Sequence, residues 1–112
     1  MRADDRVRLK HMIDAAEALA GFVEGRSSQD LKTDRMLLFA VVRAIEILGE
    51  AASRLSAESQ AAIPGVPWTS VVGMRNRLIH GYFDVDTEIV WKTATVEVPA
   101  LLQALRGALS EP

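Results

Sequence analysis

Cysteine is absent from the 112 residues. That excludes a disulfide framework, a thiolate zinc site and a cysteine nucleophile. Aromatic residues are scarce, at 5%, which disfavours a strand-rich core. Long apolar runs are missing too. No stretch approaches the ~18 uninterrupted apolar residues of a membrane span, so no membrane partner is expected. Neither sign of charge dominates: 13 Lys and Arg face 15 Asp and Glu, a formal net charge of −2. Binding nucleic acid by bulk charge is thereby excluded, although a local basic pocket is not. Met1-Arg2-Ala3-Asp4-Asp5-Arg6 alternates charge where a signal peptide has an apolar core. A cytoplasmic protein is the expectation.

What remains is ordinary globular material, 49% hydrophobic and 25% charged. The length suits one domain, residues 1–112. A domain this small buries only about two-thirds of its unfolded surface. Stability beyond the marginal is therefore expected from a partner.

Apolar residues recur at three- and four-residue spacings, the amphipathic helical signal. A first helix is predicted from about Asp4 to Glu24. Its apolar stripe is Val7, Met12 (or His11), Ala15, Leu19, Phe22 and Val23, and Gly25 stops it. Residues 26–32 read as a loop or a short helical turn, and Thr33 or Asp34 as the cap of a second helix, roughly Asp34 to Leu55. That helix is apolar over well over half its circumference, so it needs burial on more than one side, one of them plausibly against another subunit. Its polar residues Arg43, Glu46, Glu50 and Arg54 form one ridge, either a solvated face laced with ion pairs or the lining of a cleft. A short helix at Glu58–Ala62 precedes the rigid turn Pro64-Gly65-Val66-Pro67. Pro67 suits the first position of a third helix through Ile79. The last apolar stretch, Ile89 to Leu109, carries Pro99 inside it, which predicts a kink or two helices. The expected fold is all-α, an up-and-down bundle of four to five helices.

One stretch carries chemistry, Met74-Arg75-Asn76-Arg77-Leu78-Ile79-His80-Gly81-Tyr82. On a helix Asn76 and His80 share a face, so the amide is able to fix the imidazole's orientation or tautomer. Arg75 and His80 lie about 140° apart around the axis, awkward for cooperation within one copy. A guanidinium is permanently charged and grips phosphate in bidentate fashion, while an imidazole moves protons near neutral pH. Together they have the chemistry to cleave RNA without a metal or other cofactor. The bland alternative is a cationic helix end that complements its dipole. Spacing alone favours that alternative. His11, between Lys10 and Met12, reads as a surface or boundary residue.

The segment from Pro67-Trp68 through Gly73-Met74-Arg75-Asn76-Arg77-Leu78-Ile79-His80-Gly81-Tyr82-Phe83-Asp84-Val85-Asp86 resembles the signature of HepT-like toxins of the HEPN superfamily: Arg, four residues, His, one residue, Tyr. Arg43-Ala44-Ile45-Glu46-Ile47-Leu48-Gly49-Glu50-Ala51-Ala52 resembles the family's second helix. Ile89-Val90-Trp91 and Pro99-Ala100-Leu101-Leu102 also follow its pattern. The resemblance implies a HEPN-like homodimer in which Arg75 and His80 of both copies meet across a cleft, with Asn76 and Arg77 supporting. It implies a metal-independent endoribonuclease toxin. It further implies an MntA-like nucleotidyltransferase antitoxin that transfers AMP to Tyr82, placing an anion beside the catalytic pair. A twofold axis answers the 140° problem, since residues of two copies meet across it. Glu46 or Glu50 is expected to border the cleft and tune His80. Two other readings stay open. The dimer is a non-catalytic nucleotide-binding or docking subunit of a nucleotidyltransferase complex, or Arg75 and His80 only stabilise it. Tyr82 also reads as an amphipathic aromatic packed at a helix end.

Overall fold

The computed structural model describes residues 1–78 and 85–110. Every regular element of two or more residues among them is helical. Among the described residues eight α-helices occur: α1 (Ala3–Val23), α2 (Asp30–Thr33), α3 (Arg35–Ser53), α4 (Ala57–Ala61), α5 (Trp68–Val72), α6 (Met74–Leu78), α7 (Thr87–Lys92) and α8 (Val98–Ser110). A π-helical turn, Thr93–Glu97, joins α7 to α8 in one rod. No helix among the described residues is long and apolar enough to cross a membrane.

The expected all-α architecture is present, with the short helices more numerous than sequence patterning indicates. α1 packs mainly on α3 and, along another side, on α8. Asp5, at the start of α1, bonds Ser56 and Ser59 beyond the end of α3, so the two helices run in opposite directions. Lys32 reaches Glu88 at 3.6 Å, which sets the start of the α7–α8 rod beside the start of α3. That rod packs along α1 rather than α3, and the α4–α6 segment carries the chain back.

Local chemistry explains the boundaries. Gly25 takes φ 72°, a left-handed stop that glycine adopts without penalty. Of the two proposed caps for α3, Asp34 serves: its carboxylate accepts from the Leu37 amide at 3.0 Å and pairs with Arg26. Both contacts, the amide first, hold its pKa below the usual carboxylate range. Ser56 caps α4 and Asp86 caps α7. The Trp68 indole N–H donates to the carbonyls of Gln60 and Ile63 at 2.9 and 3.2 Å, pinning the Pro64–Pro67 turn.

Two expectations need correction. The buried face of α1 is Asp5, Leu9, Met12, Ala15, Ala16 and Leu19, while Val7 and Phe22 are exposed. The true stripe begins with an acid, which an apolar count passes over. The helix expected through Ile79 breaks at Gly73, whose backbone (φ −85°, ψ 2°) leaves the helical range. The described part is thus two short helices. At Pro99 the expected kink or pair of helices takes the form of α7 and α8, two α-helices joined by a turn of π geometry just before the proline. Pro99 has no N–H to give the carbonyl four residues back, and the β-branched Thr93, Thr95 and Val96 hold a regular helix weakly. Thr95 Oγ1 also donates to the Trp91 carbonyl at 2.7 Å, a back-bond that bends helices.

Candidate active site

Gly49 is where the site begins. A Cβ there meets the carbonyl oxygens of Val71 and Val72 at 3.3 and 3.4 Å, so its absence lets α5 lie close on α3. The Gly73 break then turns the chain, and α6 delivers Arg75 to the polar ridge of α3. Arg75 Nε donates to Glu46 Oε2 at 3.2 Å. The two terminal guanidinium nitrogens have no hydrogen bond among the described residues, and the side chain is about half exposed, at 51%. Arg75 is therefore anchored through one nitrogen and presents the forked pair that suits a phosphate.

A cleft of about 300 Å³ surrounds it. Its walls are Glu46, Gly49, Glu50 and Ser53 of α3 with Val72, Arg75 and Asn76 of α5–α6. Asn76, Glu46 and Glu50 thus line the same space as Arg75. Glu50 also pairs with Arg54 at 3.1 Å, so the ridge is both ion-paired and cleft-lining. Val72 and Ser53 escaped sequence reasoning; the available signal was helical spacing, Val72 three residues before Arg75 and Ser53 three after Glu50.

Arg77 is not brought into this cleft. Two residues along a helix is a rotation of roughly 200°, and Arg77 instead pairs with Glu97 at 3.5 Å and donates to the Ser70 carbonyl at 3.3 Å. Glu97 accepts from Thr93 as well, at 3.1 Å. Arg77 thus ties α6 to the π turn. His80 and Tyr82 lie outside the described residues. His11 is exposed on α1. Among the described residues no three His, Asp or Glu side chains converge to hold a metal ion.

The profile of the family described as "Ribonuclease HepT-like" matches residues 12–107. The chain belongs to the HepT-like ribonuclease family. It is similar over 106 residues, at 38% identity, to a Caldanaerobacter subterraneus subsp. tengcongensis protein provisionally named an RNase, covering 95% of each chain. A Thermococcus cleftensis protein named "Probable ribonuclease HepT" is 34% identical over 101 residues, 90% of this chain and 92% of that one. A Methanocaldococcus jannaschii protein, again provisionally named an RNase, is 32% identical over 100 residues, 89% of this chain and 92% of that one. No solved structure was found to match the chain. Every described cleft residue falls inside the span of the HepT-like match, so the family assignment and the cleft concern the same part of the molecule.

Proposed function

We propose that this protein is a metal-independent endoribonuclease toxin working as a homodimer, with Arg75 and His80 as its catalytic pair. The observation that carries the proposal is the half-exposed Arg75 fork in a cleft beside Asn76, in a chain of the HepT-like ribonuclease family. In the reaction, His80 of one copy takes the proton from a ribose 2′-hydroxyl. The 2′-oxygen attacks phosphorus, and the bond to the 5′-oxygen breaks as that oxygen receives a proton from His80 of the other copy. The products are a 2′,3′-cyclic phosphate and a 5′-hydroxyl. Arg75 stabilises the charge that builds on the non-bridging oxygens, and Asn76 orients His80. Val72, exposed at the rim, gives the second copy an apolar contact beside Arg75. Arg77 acts at a distance, holding α6 in place through Glu97.

Regulation follows from the same charge logic. A nucleotidyltransferase antitoxin of the MntA type moves AMP from ATP to the Tyr82 hydroxyl, releasing pyrophosphate. The phosphodiester so formed is an anion that competes with RNA for Arg75. Intact mass after co-expression with such an antitoxin tests this: AMP increments that vanish in Tyr82→Phe support it, and their persistence moves the acceptor elsewhere.

The nuclease test is cleavage of RNA by the purified protein in the presence of chelator, with Arg75→Ala and His80→Ala alongside. Loss in both variants, with cyclic phosphate ends from the parent, supports the mechanism; equal cleavage by His80→Ala removes it. The Glu46 contact favours one other role, since an arginine already paired also serves as a docking element. Nucleotide affinity without cleavage or growth inhibition then marks a non-catalytic subunit of a nucleotidyltransferase complex.

A further inference from the structure

Beside the Arg75 cleft, across Glu50, a second and larger cavity opens between α1 and α3. It measures about 560 Å³, and Arg8, His11, Arg43 and Arg54 line it together with Asp4 and Glu50. Glu50 lines both spaces, so the two adjoin. A third space of about 340 Å³ continues from it along the same helices, sharing His11, Arg43 and Ile47. Its other walls are Ala15, Ala18, Ala40 and Ala44, closed by Phe22, with Asp14 the one further charged residue.

We propose that this pair of cavities binds one nucleotide unit of the RNA strand next to the scissile position, its phosphate among Arg8, Arg43 and Arg54 and its base in the alanine trough. The inference rests on the ribonuclease proposal and names the path its substrate takes. Charge comes first. The larger cavity sets three guanidinia against two carboxylates, one net positive charge for one phosphodiester on a chain whose overall charge is −2, while Asp14 lines only the trough that takes the uncharged base. Arg43 makes no hydrogen bond or ion pair among the described residues. Arg8 touches Asp5 only at 3.9 Å, and that carboxylate is already occupied by Ser56 and Ser59. Arg54 commits one nitrogen to Glu50.

Shape comes second. A nucleotide joins an anion to a flat, weakly polar ring, and Arg43 stands where the cationic cavity meets the apolar one. Phe22, 40% exposed, offers a face for stacking, the sequence-tolerant contact that single-stranded RNA makes with proteins. A second copy of the chain is the competing occupant of such a trough. Covering Arg43 with apolar surface strips water from an unpaired charge, which is costly; RNA brings the counter-charge with it.

The test uses a fluorescent single-stranded RNA methylated at every 2′-oxygen, which has no nucleophile and stays intact on active protein. Arg43→Glu is expected to weaken binding by about tenfold or more and to reduce the salt dependence by ~0.7 per lost phosphate contact. Arg43→Lys restores most of the affinity. Phe22→Ala weakens binding by about fivefold or more and leaves the salt dependence unchanged. Lys92→Glu, an equal change of charge on a residue lining neither cavity, binds like the parent. Unchanged binding by Arg43→Glu overturns the proposal. So does a fall to monomer in that variant that accounts for the lost affinity, which makes the face a protein interface. Saturation by free AMP that the RNA fails to displace also overturns it. If Arg75→Ala and His80→Ala cleave normally while these binding results hold, the catalytic assignment falls and the path stands.

Discussion

Two of the carboxylates that hold donors, Asp5 and Glu46, do so on opposite terms. Asp5 is 2% exposed. It accepts from the Ser59 hydroxyl at 2.7 Å, the Ser56 hydroxyl at 2.7 Å and the Ser56 amide at 3.1 Å. Those bonds, that from Ser59 foremost, hold its pKa down at about 2 against a small opposing effect of burial. Glu46 holds Arg75 by one 3.2 Å bond at the edge of an open cleft. Asp5 is saturated and locked to two hydroxyls and an amide at the start of α4. Glu46 has a partner that a phosphate can share. The contrast separates a clamp that makes the fold from a holder that keeps a functional group ready.

The largest effect is expected where the holder's partner is removed. Arg75→Ala should lower kcat for RNA cleavage by roughly 10²–10³-fold with almost no change in melting temperature, because the pair it breaks is exposed. His80→Ala should cut kcat comparably. A cooperative loss of stability in Arg75→Ala would put that residue on the clamp's side of the comparison.

Asp5→Asn should do the reverse. An amide replaces a carboxylate that accepts three bonds, so buried donors lose part of their satisfaction. The melting temperature should fall by about 5 °C or more, while cleavage by the folded fraction stays at the parental rate. The pH dependence has a definite sign. The folded pKa lies below the ordinary 3.8, so the stabilisation is complete above that value and is lost as pH falls toward about 2. Thermal melts in acid should show this decline in the parent and a flatter profile in Asp5→Asn.

Gly49→Ala couples the two regions. The added methyl meets backbone oxygens at 3.3 and 3.4 Å, and neither rotates away, so α5 must shift. A loss of about 1–3 kcal/mol is expected, together with reduced cleavage at temperatures where the variant is fully folded, because α5 leads into the helix that carries Arg75. Denaturant unfolding paired with kinetics checks this; full activity would free the position of Arg75 from the Gly49 contact.

Much of this was legible in the sequence, and the gaps have causes. Helix boundaries at Asp34 and Gly25 follow from a side-chain oxygen and a left-handed glycine, both local effects. The ridge Glu46–Glu50 follows from helical spacing, also local. Asp5 was not legible, because its partners lie more than fifty residues away and an acid in a first turn ordinarily faces water. The separation of Arg77 from Arg75 follows from helical rotation, whereas its supporting role came from the family resemblance alone. The π turn was half legible: Pro99 announced two helices, which are α7 and α8, but nothing in the spacing announced that a π turn joins them.

Glu46→Gln carries the smallest expected effect and draws the comparison finest. Glutamine keeps an oxygen for Arg75 Nε and removes the charge that competes with phosphate. Stability should change by less than about 1 kcal/mol, and affinity for uncleavable RNA should rise by up to about fivefold, the same free energy read from the other side. If Glu46 also tunes His80, the pH profile of cleavage shifts in this variant, and Glu50→Gln supplies the matching test from the next turn of α3. Unchanged profiles in both leave the two carboxylates with positioning alone. Weaker RNA binding in Glu46→Gln goes further: it makes Glu46 a fixed part of the scaffold, closer to Asp5 than its exposure indicates.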